Sequence, residues 1–131
     1  MGCAIIGCGK ALPALEVTND DLTALVDTSD EWITTRTGIK TRRICVDENN
    51  VDLAEAAARR ALGWEPGDYN ERHIDPEEID LVIFSTATPD VMVPTCAALL
   101  RRRLGLVNAV AFDMNAACTG FIYGLTIAES M

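Results

Sequence analysis

The stretch Phe112-Asp113-Met114-Asn115-Ala116-Ala117-Cys118-Thr119-Gly120-Phe121 decides the reading of this chain. It predicts the end of a buried strand, a tight turn of small residues, and a cysteine at the mouth of a helix. The helix expected over Thr119–Met131 carries Phe121, Ile122, Tyr123, Leu125, Ile127, Ala128 and Met131, so it has no polar face. Such a helix is usually buried on all sides. Unpaired N–H groups and the helix dipole at its start favour the thiolate of a neighbouring cysteine, which is how a nucleophile is made. The same placement also suits a buried structural cysteine.

Working outward, the elements alternate. Gly2–Cys8 predicts a first buried strand. A helix opens at Thr18 or Asn19, with Leu22, Leu25 and Val26 on its apolar face. A short second helix capped by Thr28 or Ser29 ends at Gly38 and places Trp32 and Arg36 on one face. That pair can sandwich a flat aromatic group while the arginine holds a phosphate, or the tryptophan can sit in the core with the arginine stacked over it. Lys40–Val46 predicts an edge strand or extended loop. Val51–Leu62 predicts a helix lined by Leu53, Ala57, Ala61 and Leu62. Trp64–Asp80 predicts an acidic surface connection with one turn at Pro76-Glu77-Glu78. Leu81–Thr86 is a continuously apolar run that reads as a central strand. A helix from Thr95 to Leu104 ends in Arg101-Arg102-Arg103, a solvated helix end or a docking site. Val107–Met114 then delivers the opening motif. The order implies an α/β fold with a mostly parallel sheet and helices on both faces.

The totals narrow the function. The chain has 131 residues, 20 acids against 11 bases, and a net charge of −9, which excludes the basic surface of a nucleic-acid binder. No run approaches a membrane span. Five cysteines without a C-x-x-C pattern indicate a reduced, cytoplasmic protein, and one histidine, His73, gives no metal site. There is no G-x-G-x-x-G, P-loop or G-x-S-x-G. The apolar pattern is still running at Met131, so the expectation is a truncated front portion of a longer protein, or a helix covered by a partner chain.

Three motifs in order resemble the type III β-ketoacyl-(acyl-carrier-protein) synthases of the thiolase superfamily: Asp27-Thr28-Ser29-Asp30-Glu31-Trp32-Ile33, Arg36-Thr37-Gly38-Ile39, and Ala116-Ala117-Cys118-Thr119-Gly120-Phe121. The acidic connection around Gly67 to Asp75 is longer than the family pattern and reads as a surface insertion. The resemblance implies a thiolase-like fold of which residues 1–131 are the first half. It implies an acyltransferase initiating fatty-acid biosynthesis by decarboxylative Claisen condensation of an acyl-CoA, usually acetyl-CoA, with malonyl-acyl-carrier protein. Cys118 matches the nucleophile. Thr28, Trp32, Arg36 and Thr37 match CoA-site positions, and Val93 matches a loop position reaching the partner's acyl pocket in a homodimer. A small β-branched residue there would admit longer or branched primers. No cofactor is implied beyond the two thioester substrates. The family's histidine and asparagine have no counterpart here, neither His73 nor Asn115, so the isolated chain is expected to lack condensing activity. The alternatives are a starter enzyme of polyketide- or quinolone-type biosynthesis and a non-catalytic thiolase-fold module.

Overall fold

A computed structural model describes residues 3–66, 69–70 and 72–131. Its strands are β1 (Gly7–Cys8), β2 (Leu15–Thr18), β3 (Thr41–Ile44), β4 (Tyr69–Asn70), β5 (Leu81–Ser85) and β6 (Val110–Met114). Its α-helices are α1 (Asn19–Thr23), α2 (Asp30–Thr37), α3 (Asn50–Ala61), α4 (Cys96–Leu104) and α5 (Gly120–Ser130), with single 3₁₀ turns at Pro76–Glu78 and Ala117–Thr119. Contacts divide the chain into two units, Leu12–Glu48 and the remainder, Met1–Ala11 with Asn49–Met131.

The larger unit is built on β5 and β6, which pair in parallel with Leu81 opposite Val110 and Ser85 opposite Met114. Side chains alternate along a strand, and β5 uses both faces. Val82 and Phe84 pack on a core of Val51, Cys96, Leu100, Leu104, Leu106 and Ala109 contributed largely by α3 and α4. Leu81, Ile83 and Ser85 line a groove with Gly120, Phe121, Gly124 and Leu125 of α5. Helices therefore flank both faces of the pair, as the apolar run predicts.

Helix boundaries follow local chemistry. Asn49 caps α3 in a reciprocal box with Asp52, and the helix itself begins at Asn50. The core-facing side of α3 is Val51, Ala54 and Ala58. Ala57 and Ala61, read from sequence as inner residues, instead meet the N-terminal segment. A Cβ on Gly9 would stand 2.2 Å from the Ala57 carbonyl oxygen, and one on Gly7 2.2 Å from that of Ala61. Only a chain without side chains there crosses α3 so closely.

The first strand differs from expectation. Of Gly2–Cys8, Gly2 lies outside the described residues, and the ladder reduces to Gly7–Cys8, antiparallel to Tyr69–Asn70. Ile5 is 59% exposed, so the run is not buried here. The connection before β5 is more than surface. Trp64 packs against the core, its Nε1–H donates to the Ile74 carbonyl at 2.6 Å, and Ile74 is buried. Within the reading of Gly67 to Asp75 as an insertion, Gly67, Asp68 and Glu71 lie outside the described residues. The Arg101-Arg102-Arg103 triplet is largely structural. Arg101 donates to the carbonyls of Leu106 and Val107, closing the end of its own helix, while Arg103 pairs with Asp52 and Glu55 of α3.

The smaller unit is an antiparallel ribbon, β2–β3, carrying α1 and α2. Its strand Leu15–Thr18 is not signalled in the sequence, because Leu-Glu-Val-Thr is short and its partner is more than 20 residues away, Thr18 facing Thr41. Cross-strand Glu16 and Arg43 form an ion pair at 2.7 Å. Helix α1 ends at Thr23, leaving Leu25 and Val26 exposed rather than on a buried helical face.

Candidate acyl-transfer site

Cys118 is exposed, inside the 3₁₀ turn Ala117–Thr119 that joins β6 to α5. The expected helix mouth is thus one turn more elaborate, with α5 starting at Gly120. The turn is strained, since Ala117 has φ 34°, a left-handed value that disfavours a Cβ. The side chain of Thr119, at the α5 N-cap, makes no capping bond and instead donates to the Ala116 carbonyl at 2.8 Å. The Thr119 and Gly120 N–H groups donate to the Ala116 and Ala117 carbonyls, so the 3₁₀ turn runs straight into α5 without a side-chain cap, and Cys118 lies at the positive end of the helix dipole.

Gly120 holds this turn against the sheet. A Cβ there would lie 1.9 Å from Ser85 Oγ and 2.8 Å from Ser85 Cβ. The end of β5 thus presses directly on the start of α5. The expectation that α5 is buried all round is not met within this chain. Gly120 is its only buried residue, and Phe121, Ile122 and Tyr123 are 65%, 61% and 53% exposed. One face meets β5, with Gly124 also close to the Met114 side chain of β6.

Asp113, at the last-but-one position of β6, spans to α4. Its two carboxylate oxygens accept from the N–H groups of Cys96 at 2.9 Å and Ala97 at 2.7 Å, beside the Thr95 cap that accepts from Ala98. Asp90 does the same for α3, accepting from Asn50 and Val51 at 2.8 and 2.9 Å. Asp90 thus ties the middle of the segment 86–95 to α3, and Asp113 fixes its exit into α4. Between them, Met92 and Val93 stand 80% and 87% exposed as an apolar tip, and the Val93–Pro94 peptide is cis. A groove beside this loop is lined by Thr86, Val91, Met92, Asp113 and Asn115. Asn115 is therefore near the loop, while Val93 is not among the lining residues.

In the smaller unit, Ser29 caps α2 by accepting from Trp32 N–H at 3.1 Å, and Gly38 ends it at φ 72°. Thr28 is half-buried just before the cap. Trp32 is 55% exposed, which removes the core-packing alternative. The Arg36 guanidinium lies over its ring, 4.6 Å from the centroid. Ser29, Glu31, Trp32, Thr35 and Arg36 line an open groove of about 470 Å³. Thr37 is not part of that lining: its hydroxyl donates to Ile33 O and accepts from Ile39 N–H at the helix exit. The buried Asn19, read in sequence only as a possible cap, bonds α2 at several points, and Thr18 is the actual cap of α1.

His73 lies in the connection before β5, with Nδ1 3.3 Å from Gly63 O and Nε2 3.5 Å from Asp75. No helix among the described residues is long and apolar enough to cross a membrane.

No protein-family model matches the chain. It is 50% identical over 127 residues to the β-ketoacyl-[acyl-carrier-protein] synthase III of Rhodospirillum centenum, covering 96% of this chain and 37% of that protein. The crystal structure of 3-oxoacyl-[acyl-carrier-protein] synthase III from Aquifex aeolicus superposes with a TM-score of 0.89 at 49% identity, over 98% of this chain and 40% of that one. The priming β-ketosynthase of the R1128 polyketide pathway superposes at 0.84 with 42% identity, over 95% of this chain and 35% of that one. The chain spans well under half the length of the proteins it matches. Over that span it has the sequence and the thiolase-like fold of the β-ketoacyl-[acyl-carrier-protein] synthase III family.

Proposed function

We propose, from similarity to the β-ketoacyl-[acyl-carrier-protein] synthase III family, that this chain supplies the nucleophile and part of the CoA site of an acyltransferase that initiates fatty-acid synthesis. One observation carries the reading: an exposed cysteine on a strained turn between a parallel strand and an uncapped helix. In this reading the Cys118 thiolate attacks the carbonyl carbon of an acyl-CoA, preferentially acetyl-CoA. The tetrahedral oxyanion collapses, the C–S bond to CoA breaks, and CoA leaves as its thiolate. Malonyl-acyl-carrier protein then loses CO₂, and the resulting carbanion attacks the acyl carbonyl. A C–C bond forms, the Cys118 thiolate departs, and 3-oxoacyl-carrier protein is released. Hydrogen-bond donors aimed at each oxyanion give such chemistry its rate.

Trp32 and Arg36 are assigned to the adenine and phosphate end of CoA, with Thr28 and Thr37 beside them. Arg36 covers one face of the exposed Trp32 ring, so an adenine stacking on that face displaces the guanidinium toward a phosphate. Val93, on the exposed tip, is assigned to primer selection across a homodimer, where its small β-branched side chain leaves room for branched primers. Five cysteines without a C-x-x-C pattern support a cytoplasmic location. Similarity to a priming polyketide synthase favours a second reading, a starter enzyme with another primer; competition among a range of acyl-CoAs separates the two.

The 131-residue polypeptide alone is assigned no condensation. Its one histidine is engaged at Gly63 and Asp75 in the connection before β5, which leaves the second half-reaction without an imidazole at the cysteine. Intact-mass measurement after incubation with acetyl-CoA tests the first half-reaction. An acetyl adduct lost in Cys118→Ala is expected; no adduct, or one retained in that variant, overturns the reading. Malonyl-dependent turnover by this polypeptide overturns the second assignment.

A further inference from the structure

Asn19 is 1% exposed and is the one buried polar side chain among the described residues. Its Nδ2 reaches Asp30 Oδ1 at 2.7 Å, the Ile39 carbonyl at 2.8 Å and Thr34 Oγ1 at 3.3 Å, and its Oδ1 accepts from Arg42 at 2.7 Å. Asp30 begins α2, Thr34 is one turn on, and Ile39 follows the helix's glycine stop. A single amide thus holds the entry, middle and exit of α2 and ties them to β3. Helix α2 has no buried side chain, so apolar packing does not set its pose; the polar network does. Trp32 and Arg36 stand two residues after Asp30 and Thr34, roughly 200° around the helix, so they share the side opposite the amide. A satisfied buried network of this kind is rigid.

We propose that Asn19 is a positioning residue: by fixing α2 it presents Trp32 and Arg36 to the nucleotide end of a CoA thioester. This rests on the CoA reading of Trp32 and Arg36 given above. Preorganisation lowers the ordering cost of binding, and its loss appears as weaker affinity without loss of fold.

The test is calorimetric titration of CoA into the wild type, Asn19→Ala, Arg36→Ala and the double variant, with amide hydrogen exchange of the β2–β3 ladder as a fold control, since that ladder lies in the same unit as Asn19. Asn19→Ala is expected to weaken CoA binding about tenfold, equivalent to about 1.4 kcal/mol, with the ladder still protected. Because Asn19 acts through Arg36 and Trp32, the double variant is expected to bind nearly as well as Arg36→Ala, as coupled sites do. Unchanged affinity in Asn19→Ala overturns the proposal, and so do fully additive losses. Where Asn19→Ala deprotects the ladder, Thr34→Val, which removes one partner and keeps the shape, decides: a roughly threefold loss with the ladder protected supports positioning, and wild-type affinity overturns it. Arg36→Ala binding CoA like the wild type instead overturns the CoA reading itself, and this proposal with it.

Discussion

Gly120 places the reactive turn by its missing side chain. The Ser85 Oγ occupies the space a Cβ would take, 1.9 Å from it, so Gly120→Ala forces β5 and α5 apart. Overpacking of this kind costs about 1–3 kcal/mol, and urea unfolding is expected to show that loss as a lower midpoint. The double variant Gly120→Ala/Ser85→Gly removes the obstructing atoms and is expected to recover part of it; no recovery would mean the clash is not with Ser85. The turn itself stores strain at Ala117, at φ 34°, of the order of 1 kcal/mol. That strain and the tight glycine contact act on adjacent residues, so a shift at Gly120 is expected also to slow acylation of Cys118 by acetyl-CoA, read by mass spectrometry over time.

At the scale of elements, the sharpest contrast is between signals that lie within a helix and those that arrive from elsewhere. Ser29, Thr95, Gly38 and Gly105 are legible in sequence because cap and helix are neighbours along the chain. Asp113 is not legible as a cap: it lies 16–17 residues from the N–H groups it accepts. The same holds for Asp90 on α3, some 40 residues away, and for strand β2, whose partner is remote. The nucleophile and the Trp32–Arg36 pair are legible as motifs, whereas Asn19 is hidden because its role depends on four partners brought together only by folding. Asp113→Ala leaves two N–H groups at the buried start of α4 without their acceptors, which costs about 1–3 kcal/mol. Asp113→Asn keeps one acceptor oxygen and is expected to lose about half as much, each measured by denaturant unfolding. Equal stability of Asp113→Ala and wild type would show that Thr95 alone caps α4.

Across the whole molecule, acid acts twice, and the two effects separate in pH. Several exposed carboxylates are held below their ordinary values by hydrogen bonds: Asp21 by Thr18, Asp30 by Asn19 and Thr34, Glu48 by backbone N–H groups, and Asp52 by Arg103. Glu78 is lowered furthest, to about 2, by its two-pronged contact with Arg72 and the Asp75 N–H. A depressed folded-state value means the unfolded chain binds protons first on acidification. The stabilisation is therefore complete above the unfolded carboxylate range near pH 4–4.5, and disappears as pH falls through the lowered values toward 2. These groups are exposed, so each contributes little and the loss is gradual. Charge neutralisation comes earlier. The net charge of −9 at neutral pH vanishes near pH 4.4, while Met92, Val93, Phe121 and Ile122 remain on the surface. Apolar patches associate most readily when like-charge repulsion is absent. Light scattering is thus expected to peak near pH 4.4 while far-UV circular dichroism is still native, with unfolding following at lower pH. Phe121→Ser/Ile122→Ser is expected to reduce the scattering peak and leave the acid unfolding midpoint nearly unchanged. A single transition, in which scattering and loss of helix coincide at every pH, would show that association comes from unfolded chains and not from the exposed face of α5.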